Sequence, residues 1–479
     1  MSDNDPANDE SIDEQLQAAL KVVAREADSY AADLMDFVRV PSISTEDEHR
    51  PDIDAAASWV AARLWRAGFT EVRSIETPGF PVVHATLHHD PALPTVIVYG
   101  HYDVQPVEPL ELWDSPPFEP EIRDGKVYGR GASDDKAGVL TAIQAVEAYT
   151  ADGGLPPVNL TFLIEGEEEI GSPNLADFLE QHREILRADL AISADGGIHG
   201  VGIPSLTIGS RGLAAVQLDV KGAAGDLHSG MYGGAVANPL AALAKIIATF
   251  HDENGVVQVE GFYDDVAPLE ASVREAIAAQ PGDEAAELAA LDIASWWGDP
   301  DYSAAERRSV RPTLEINGIG GGFQGAGIKT VLPNTAFAKI SCRLVVDQDP
   351  EKVVKALQRH VAKVTPPGVT ATVTALPGNA RAYQMPISHP ALEIASRSLA
   401  AVYDLKAFPV WTGGTVPVAE QFRSILGTWC LYFAFGEPDN ALHAPNEFYR
   451  VITLRQGTEA TVRLFAGLAG AKEALAAAN

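Results

Sequence analysis

The chain has 479 residues, 46% of them hydrophobic and 21% charged, with a formal net charge of −31. This is the composition of a globular protein too long for one simple core, so two or more domains are expected. The charge excludes a nucleic-acid footprint and docking on anionic lipid, and two cysteines, Cys342 and Cys430, are too few for a disulfide framework or a thiolate zinc site.

Residues 1–14 are acidic and polar, lack the basic start and apolar core of a secretory signal, and read as a disordered tail on a cytoplasmic protein. No run of about 18 apolar residues occurs, so no membrane span is expected. Ala57, Val60, Ala61 and Leu64 recur at helical spacing in a segment that stops at Gly68. Thr95–Tyr99 is a continuous apolar run, as in a strand buried on both faces. A helix is expected over Asp135–Tyr149, strands over Val158–Ile164 and Leu190–Ser193, and a helix near Asn174–His182. Strands alternating with helices predict an α/β sheet, mixed but mostly parallel.

After Arg211 the pattern changes. Val216, Leu218 and Val220 alternate with polar residues, and Leu240, Leu243, Ile247 and Phe250 follow at helical spacing. Strands are expected over Thr313–Ile316 and Phe337–Val346, the second again alternating. Asp349 and Pro350 form an N-cap and N1 pair for the next helix, and Val369–Ala375 is one more alternating strand. The order β-α-β-β-α-β predicts a ferredoxin-like unit, with His251–Arg308 as a polar, helix-prone insertion. Helical signals return at Ala391–Val402, a strand at Leu431–Phe435, and one long helix at Leu454–Ala478. The domains read as a catalytic domain over 15–211 and 381–479, interrupted by an inserted domain over 212–380.

Five motifs carry chemistry: Gly100–Asp103, Gly131–Lys136, Glu165–Glu169, Ser193–Gly196 and Leu442–Glu447. A His-x-acid triplet arises by chance about once or twice in such a chain, and a run such as Glu167–Glu169 is usually a solvated face. Here, however, His101, Glu165–Glu169 and Asp195 each directly follow an apolar strand run. The carboxyl ends of strands are where open α/β sheets do chemistry. Neutral imidazoles and carboxylates are the ligands that hydrolytic divalent metals take.

Those motifs resemble the zinc metallopeptidases that include carnosine dipeptidases, carboxypeptidase G, aminoacylase and succinyl-diaminopimelate desuccinylase. The resemblance runs from about Leu34 to Ala471. It is closest to the carnosine-dipeptidase-like branch (the cytosolic nonspecific dipeptidases), through His101–Pro106, Gly129–Gly131 before Asp134–Lys136, and Asp226–Gly230. It implies a di-metal catalytic domain and an inserted lid and dimerisation domain. His101, Asp134 and Asp195 would hold one metal and Asp134, Glu169 and His443 the other, with Asp134 bridging. Two divalent cations, three carboxylates and one hydroxide would make a neutral cluster. Asp103 would orient His101, and Glu168 would serve as general base and acid toward a metal-bridging hydroxide. The peptide matching Asp134–Asp135 is cis in relatives, and this sequence alone leaves its geometry open. On the inserted domain, His228 would stabilise the oxyanion across a homodimer interface. Arg343, with the Gly414–Thr415 turn, would bind the substrate carboxylate.

The expected activity is therefore hydrolysis of the amide bond in dipeptides or short peptides with a free C-terminal carboxylate. The two metals would be zinc, with manganese or cobalt equally compatible with the ligand types. One position departs from the branch: an acid usually precedes the Gly413–Gly414 turn to pair with the substrate's amino group, and here it is Thr412. That brings in N-acyl-amino-acid hydrolysis by the same machinery as the alternative.

Overall fold

Residues 6–479 are described by the computed structural model. They divide into two units. The first runs to Ile208 and resumes over Met385–Val410 and Gln421–Asn479; the second comprises Gly209–Gln384 and Trp411–Glu420.

The first unit is built on a six-stranded sheet. Its order is Glu71–Ile75, Val82–Leu87, Asn159–Glu165, Thr95–His101, Leu190–Ser193, Cys430–Tyr432. The last four strands run parallel, and Val82–Leu87 pairs antiparallel with both of its neighbours, so the α/β sheet is mixed with a parallel core. The central strands are apolar on both faces because helices cover both, and every residue of Asn159–Glu165 and Leu190–Ser193 is buried. The helix Lys136–Thr150 is buried over nearly its whole length, and Val451–Leu468 packs beside it.

Two buried charged devices fix the helices around this sheet. Arg63 donates both terminal nitrogens to Asp33, each at 2.7 Å, and one of them to Glu147 at 2.6 Å. The planar guanidinium thus joins three helices, Pro6–Val38, Arg50–Arg66 and Lys136–Thr150, through a bidentate fork. Fully buried Lys136 donates from Nζ to the carbonyls of Phe37 and Val40, at 3.2 and 2.6 Å. Burial pushes its pKa down to about 7, and in its charged form it meets the unpaired carbonyls and the dipole at the carboxyl end of the first helix.

Three expectations are corrected here. Residues 6–14, read as tail, belong to the helix Pro6–Val38, while 1–5 lie outside the described residues. The single helix expected over Leu454–Ala478 is two, Val451–Leu468 and Lys472–Ala478, parted where Gly470 weakens helical propensity and Lys472 donates to the carbonyls of Pro91 and Leu93. Trp411–Glu420, assigned from sequence to the catalytic domain, clusters with the second unit.

The second unit has a four-stranded antiparallel sheet in the order Thr313–Gly321, Thr335–Leu344, Gly212–Lys221, Thr370–Ala375. This is the ferredoxin-like order. Ala214, Val216, Leu218 and Val220 point to one face, where Leu243 and Ile246 of the helix Pro239–Ile247 and Val353, Leu357 and Val361 of Pro350–Val364 cover them. Asp349 caps the latter helix, accepting from Glu351 N at 2.8 Å. The strand Thr313–Gly321 continues through Gly318, Gly320 and Gly321. The insertion holds three short helices, Ala271–Ala278, Glu284–Ala290 and Ala304–Ser309.

His389 caps the helix Pro390–Tyr403 through Nδ1, which accepts from Ala391 N at 3.3 Å, while its Nε2 has no partner among the described residues. Burial, with a smaller contribution from Arg423, pushes its pKa down from 6.5 to about 4. The folded state holds this ring neutral, so its contribution to stability is complete above pH 6.5. It is lost as pH falls from there toward 4. Asparagine keeps a capping acceptor and does not titrate, so His389→Asn is expected to flatten the fall in urea midpoint over that window. Equal slopes in variant and wild type would show that His389 takes up its proton freely in the folded state.

Candidate metal centre

The parallel strands of the first unit deliver their carboxyl ends to one edge of the sheet. His101 closes one strand, Glu165 closes its neighbour in direct register, and Asp195 lies two residues beyond Ser193. The turn Gly131–Asp135 reaches the same edge from the start of the helix Lys136–Thr150, and the loop before Phe448–Arg450 brings His443. Six of the residues singled out from sequence are thereby gathered: His101, Asp103, Asp134, Glu169, Asp195 and His443. Glu168 stands between two of them in the chain, on the single turn Glu168–Ile170.

Two groups share one carboxylate. His101, Asp134 and Asp195 each offer one ligand atom within 4.8 Å of the others, and so do Asp134, Glu169 and His443. Asp134 faces both imidazoles, with Oδ1 3.1 Å from His101 Nε2 and Oδ2 2.9 Å from His443 Nε2. His443 Nε2 is also 3.3 Å from Glu169. His101 Nδ1 donates to the Asp103 carbonyl at 3.1 Å, with the Asp103 carboxylate 3.3 Å away. In the neutral ring that leaves a lone pair on Nε2, facing a carboxylate that has only lone pairs. Something positive must lie between them.

The electrostatics of the bare chain state the same demand. Burial opposes charge on His101, yet its bonds to Asp103 and Asp134 hold its pKa well above the usual range. Hydrogen bonds to Asp134 and Glu169 raise His443 to about 10. Burial would raise Asp134, but the two imidazoles overcome that and pull it below the ordinary carboxylate range. Asp195 is pushed up to about 7 by burial and then by Asp134; Glu168 and Asp135 are pushed well up, by burial first and by neighbouring carboxylates including Asp195. Protons fill the place that cations suit better, and the imidazole and carboxylate donors fit two hard or borderline divalent metals.

The supporting contacts go beyond those named from sequence. Asp103 accepts from the backbone N–H of Glu168 at 3.2 Å and of Glu169 at 3.0 Å, so it fixes that turn as well as His101. Gln105 donates to the Glu169 carboxylate at 2.8 Å. Asn174 donates to both oxygens of Glu167, at 3.0 and 2.9 Å, so the acidic run is not a solvated face at its first member. The Asp134–Asp135 peptide is cis. Gly131 has φ +80°, and a Cβ at Gly138 would stand 2.0 Å from Asp135 Oδ1 and 2.4 Å from the Ala194 carbonyl, so the helix can approach the Asp195 loop only at glycine. Glu447, quoted from sequence only as the end of a motif, is wholly buried against this turn and pairs with Arg130 at 2.6 Å.

The remaining sequence candidates belong to the second unit. His228 is exposed; its Nδ1 accepts from Gly230 N at 3.1 Å, which leaves the proton of the neutral ring on Nε2. Arg343 lies on the strand Thr335–Leu344 and donates to Thr415 Oγ1 at 2.7 Å. The Gly413–Thr415 turn is held by Arg211, whose Nε donates to the Gly413 carbonyl at 3.0 Å and whose backbone N donates to Gly414 O, also at 3.0 Å. Thr412 Oγ1 accepts from Gly414 N at 3.2 Å, so its hydroxyl supports the turn.

A mixed sheet with two imidazole–carboxylate groups at the carboxyl edge of its parallel strands defines a hydrolase built for paired cations. The chain belongs to peptidase family M20/M25/M40, whose model matches residues 97–466. It is 31% identical over 450 residues to the Cys-Gly metallodipeptidase dug1 of Schizosaccharomyces pombe, covering 90% of this chain and 94% of that protein. Human Beta-Ala-His dipeptidase is 28% identical over 95% of this chain and 93% of its own length. Among solved structures, the M20 family metallo-carboxypeptidase Sso-CP2 of Sulfolobus solfataricus superposes with a TM-score of 0.78 at 32% identity, over 91% of this chain and 98% of that one. The chain is a peptidase, and no helix among its described residues is long and apolar enough to cross a membrane.

The shared carboxylate gives a test. Asp134→Ala is expected to abolish tight binding of both cations in a calorimetric titration of metal-free protein. His443→Ala should weaken one step and spare the other. Equal loss of both steps in the His443 variant would contradict two separate groups.

Proposed function

We propose that this peptidase cleaves dipeptides or short peptides next to a free C-terminal carboxylate, using two divalent cations held by His101, Asp134 and Asp195 and by Asp134, Glu169 and His443. The observation that carries the reading is the sharing of Asp134 between the two imidazoles. Zinc is the proposed metal, and manganese or cobalt would satisfy the same donors. Bound there, the cations supply Lewis acidity that activates water and polarises the scissile carbonyl.

The chain's own groups do the rest. Glu168 takes the proton of the attacking water and delivers it to the leaving nitrogen; burial favours its protonated form, which suits a group that must hold a proton between the two steps. Asp103 keeps Glu168 and Glu169 in place through their backbone amides. Arg343, aligned by Thr415, binds the substrate carboxylate, with the Gly414 turn beside it. Names among the relatives support dipeptides as the substrate class. Thr412, which offers a hydroxyl where the branch has an acid, favours N-acyl amino acids as the second reading. A panel pairing free dipeptides with their N-acetylated forms separates the two: higher kcat/KM on the free forms supports the first, and the reverse order the second.

His228 donates from Nε2 to the developing oxyanion of a partner subunit in a homodimer. Its strand Leu227–His228 pairs with Val331–Leu332, and beside that ladder Met231 and Ile328 are 74% and 94% exposed, apolar surface that calls for a cover.

Two measurements test these roles. Glu168→Gln is expected to keep its metal and its fold while turnover drops by about 100- to 10,000-fold; loss of metal instead would make Glu168 a ligand. Mixing His228→Ala chains with Glu168→Gln chains, after subunit exchange is verified with mass-tagged protein, should restore activity toward about a quarter of wild type, since about half the dimers are mixed and each has one intact site. No recovery despite exchange would place His228 in its own chain's site or outside catalysis.

A further inference from the structure

Glu447 lies four residues beyond His443 and 317 residues from Arg130, and its carboxylate is fully buried. Oε2 accepts from Arg130 Nη1 at 2.6 Å and from Gly131 N at 2.9 Å. Oε1 accepts from Ser133 N at 2.8 Å and from Asp134 N at 3.1 Å. Four donors thus converge on one side chain, and three are backbone amides of the turn that ends in the shared ligand. Arg130 is satisfied on its other side by the Pro106 carbonyl, at 3.1 and 3.3 Å. A buried ion pair alone is weak evidence of stabilisation, because desolvation offsets the attraction. The three amides are a different matter, since they register one loop against another.

The loop carrying His443 is otherwise costly to hold. Ala441, His443 and Asn446 all have left-handed backbones, at φ 56°, 57° and 63°, a region that residues with side chains rarely adopt. Tethers on both sides keep it there. Asn446 accepts from Asp114 N at 2.8 Å and donates to the Leu112 carbonyl at 3.0 Å; Asn440 accepts from Ser133 Oγ at 3.0 Å and from Glu437 N at 2.6 Å. His443 itself is half-exposed and has no strand to fix it, whereas His101 and Asp195 stand at buried strand ends.

We propose that Glu447 is a positioning residue that sets the affinity of the second cation selectively, by clamping the Asp134 turn to the segment bearing His443. The proposal rests on the two-cation reading of the site. Without the clamp, Asp134 keeps its strand-borne partners His101 and Asp195, but the distance and angle between Asp134, Glu169 and His443 are no longer imposed.

Glu447→Gln tests this with little change in volume. One amide oxygen can still accept two bonds, but the amide nitrogen then faces two donors, so half of the clamp is lost in either orientation. Metal-free wild type and variant are titrated with zinc by calorimetry against a competing chelator, and their folding is checked by circular dichroism and Tm. Wild type should show two steps. In Glu447→Gln the step that His443→Ala weakens should lose about 10- to 100-fold in affinity, the range for residues that orient metal ligands, while the other step stays within about twofold. Should the unpaired Arg130 prevent folding, Arg130→Met combined with Glu447→Gln removes both charges and must give the same selective loss. Unchanged steps, or equal weakening of both, would overturn the positioning role while leaving two cations in place. A single step in wild type would instead overturn the underlying reading, and the proposal with it.

Discussion

The structure is organised around an excess of buried negative charge at one edge of a sheet. Asp134, Glu169 and Asp195 converge there on two imidazoles, with Asp103, Asp135, Glu165 and Glu168 close behind. Burying a carboxylate without a partner costs several kcal/mol, so such a cluster persists only if positive charge enters it. Protons can supply some: the imidazoles are drawn toward their charged form, Asp195 is pushed up to about 7 and Glu165 likewise to about 7, largely by burial. Two divalent cations would balance the three ligand carboxylates and one hydroxide, and would make of that charge a centre that activates water.

Rigidity is supplied unevenly around that centre. Strand ends carry His101 and Asp195, and the parallel pairing of Thr95–His101 with Asn159–Glu165 and Leu190–Ser193 sets their spacing. Asp134 stands on a turn and His443 on a strained loop, so both need tethers from elsewhere in the chain. Lys136, Arg130 and Glu447 provide them, joining the end of the first helix, the Asp134 turn and the last loop through buried charge. The unit is thus a scaffold in which the ligands that regular structure cannot hold are held by ionic groups in the core. Removing one partner of such a pair leaves the other charge stranded, at about 3–5 kcal/mol.

Much of this was legible because the relevant signals are local. An apolar run followed at once by His101, or by Asp195, encodes both the strand and the placement of its final side chain. Alternation along Gly212–Lys221 and Thr335–Leu344 encodes a half-covered sheet, and the order of elements leads to its ferredoxin-like topology. The clamp by Glu447 was not legible, since nothing near Arg130 in the sequence points to a residue 317 positions away. Helix Pro6–Val38 begins in residues whose acidity looked like disorder. Trp411–Glu420 was misassigned for a similar reason: its tie to Arg343 and Arg211 is made by Thr415 and Gly413 through folding, without any periodicity in the segment itself.

The central claim is that charge at the sheet edge is balanced by two cations sharing Asp134. It is tested most directly by elemental analysis of active protein, reconstituted with zinc and dialysed against metal-free buffer. The account predicts close to two equivalents per chain, with activity rising until the second is bound. A plateau at one equivalent in fully active enzyme would contradict it.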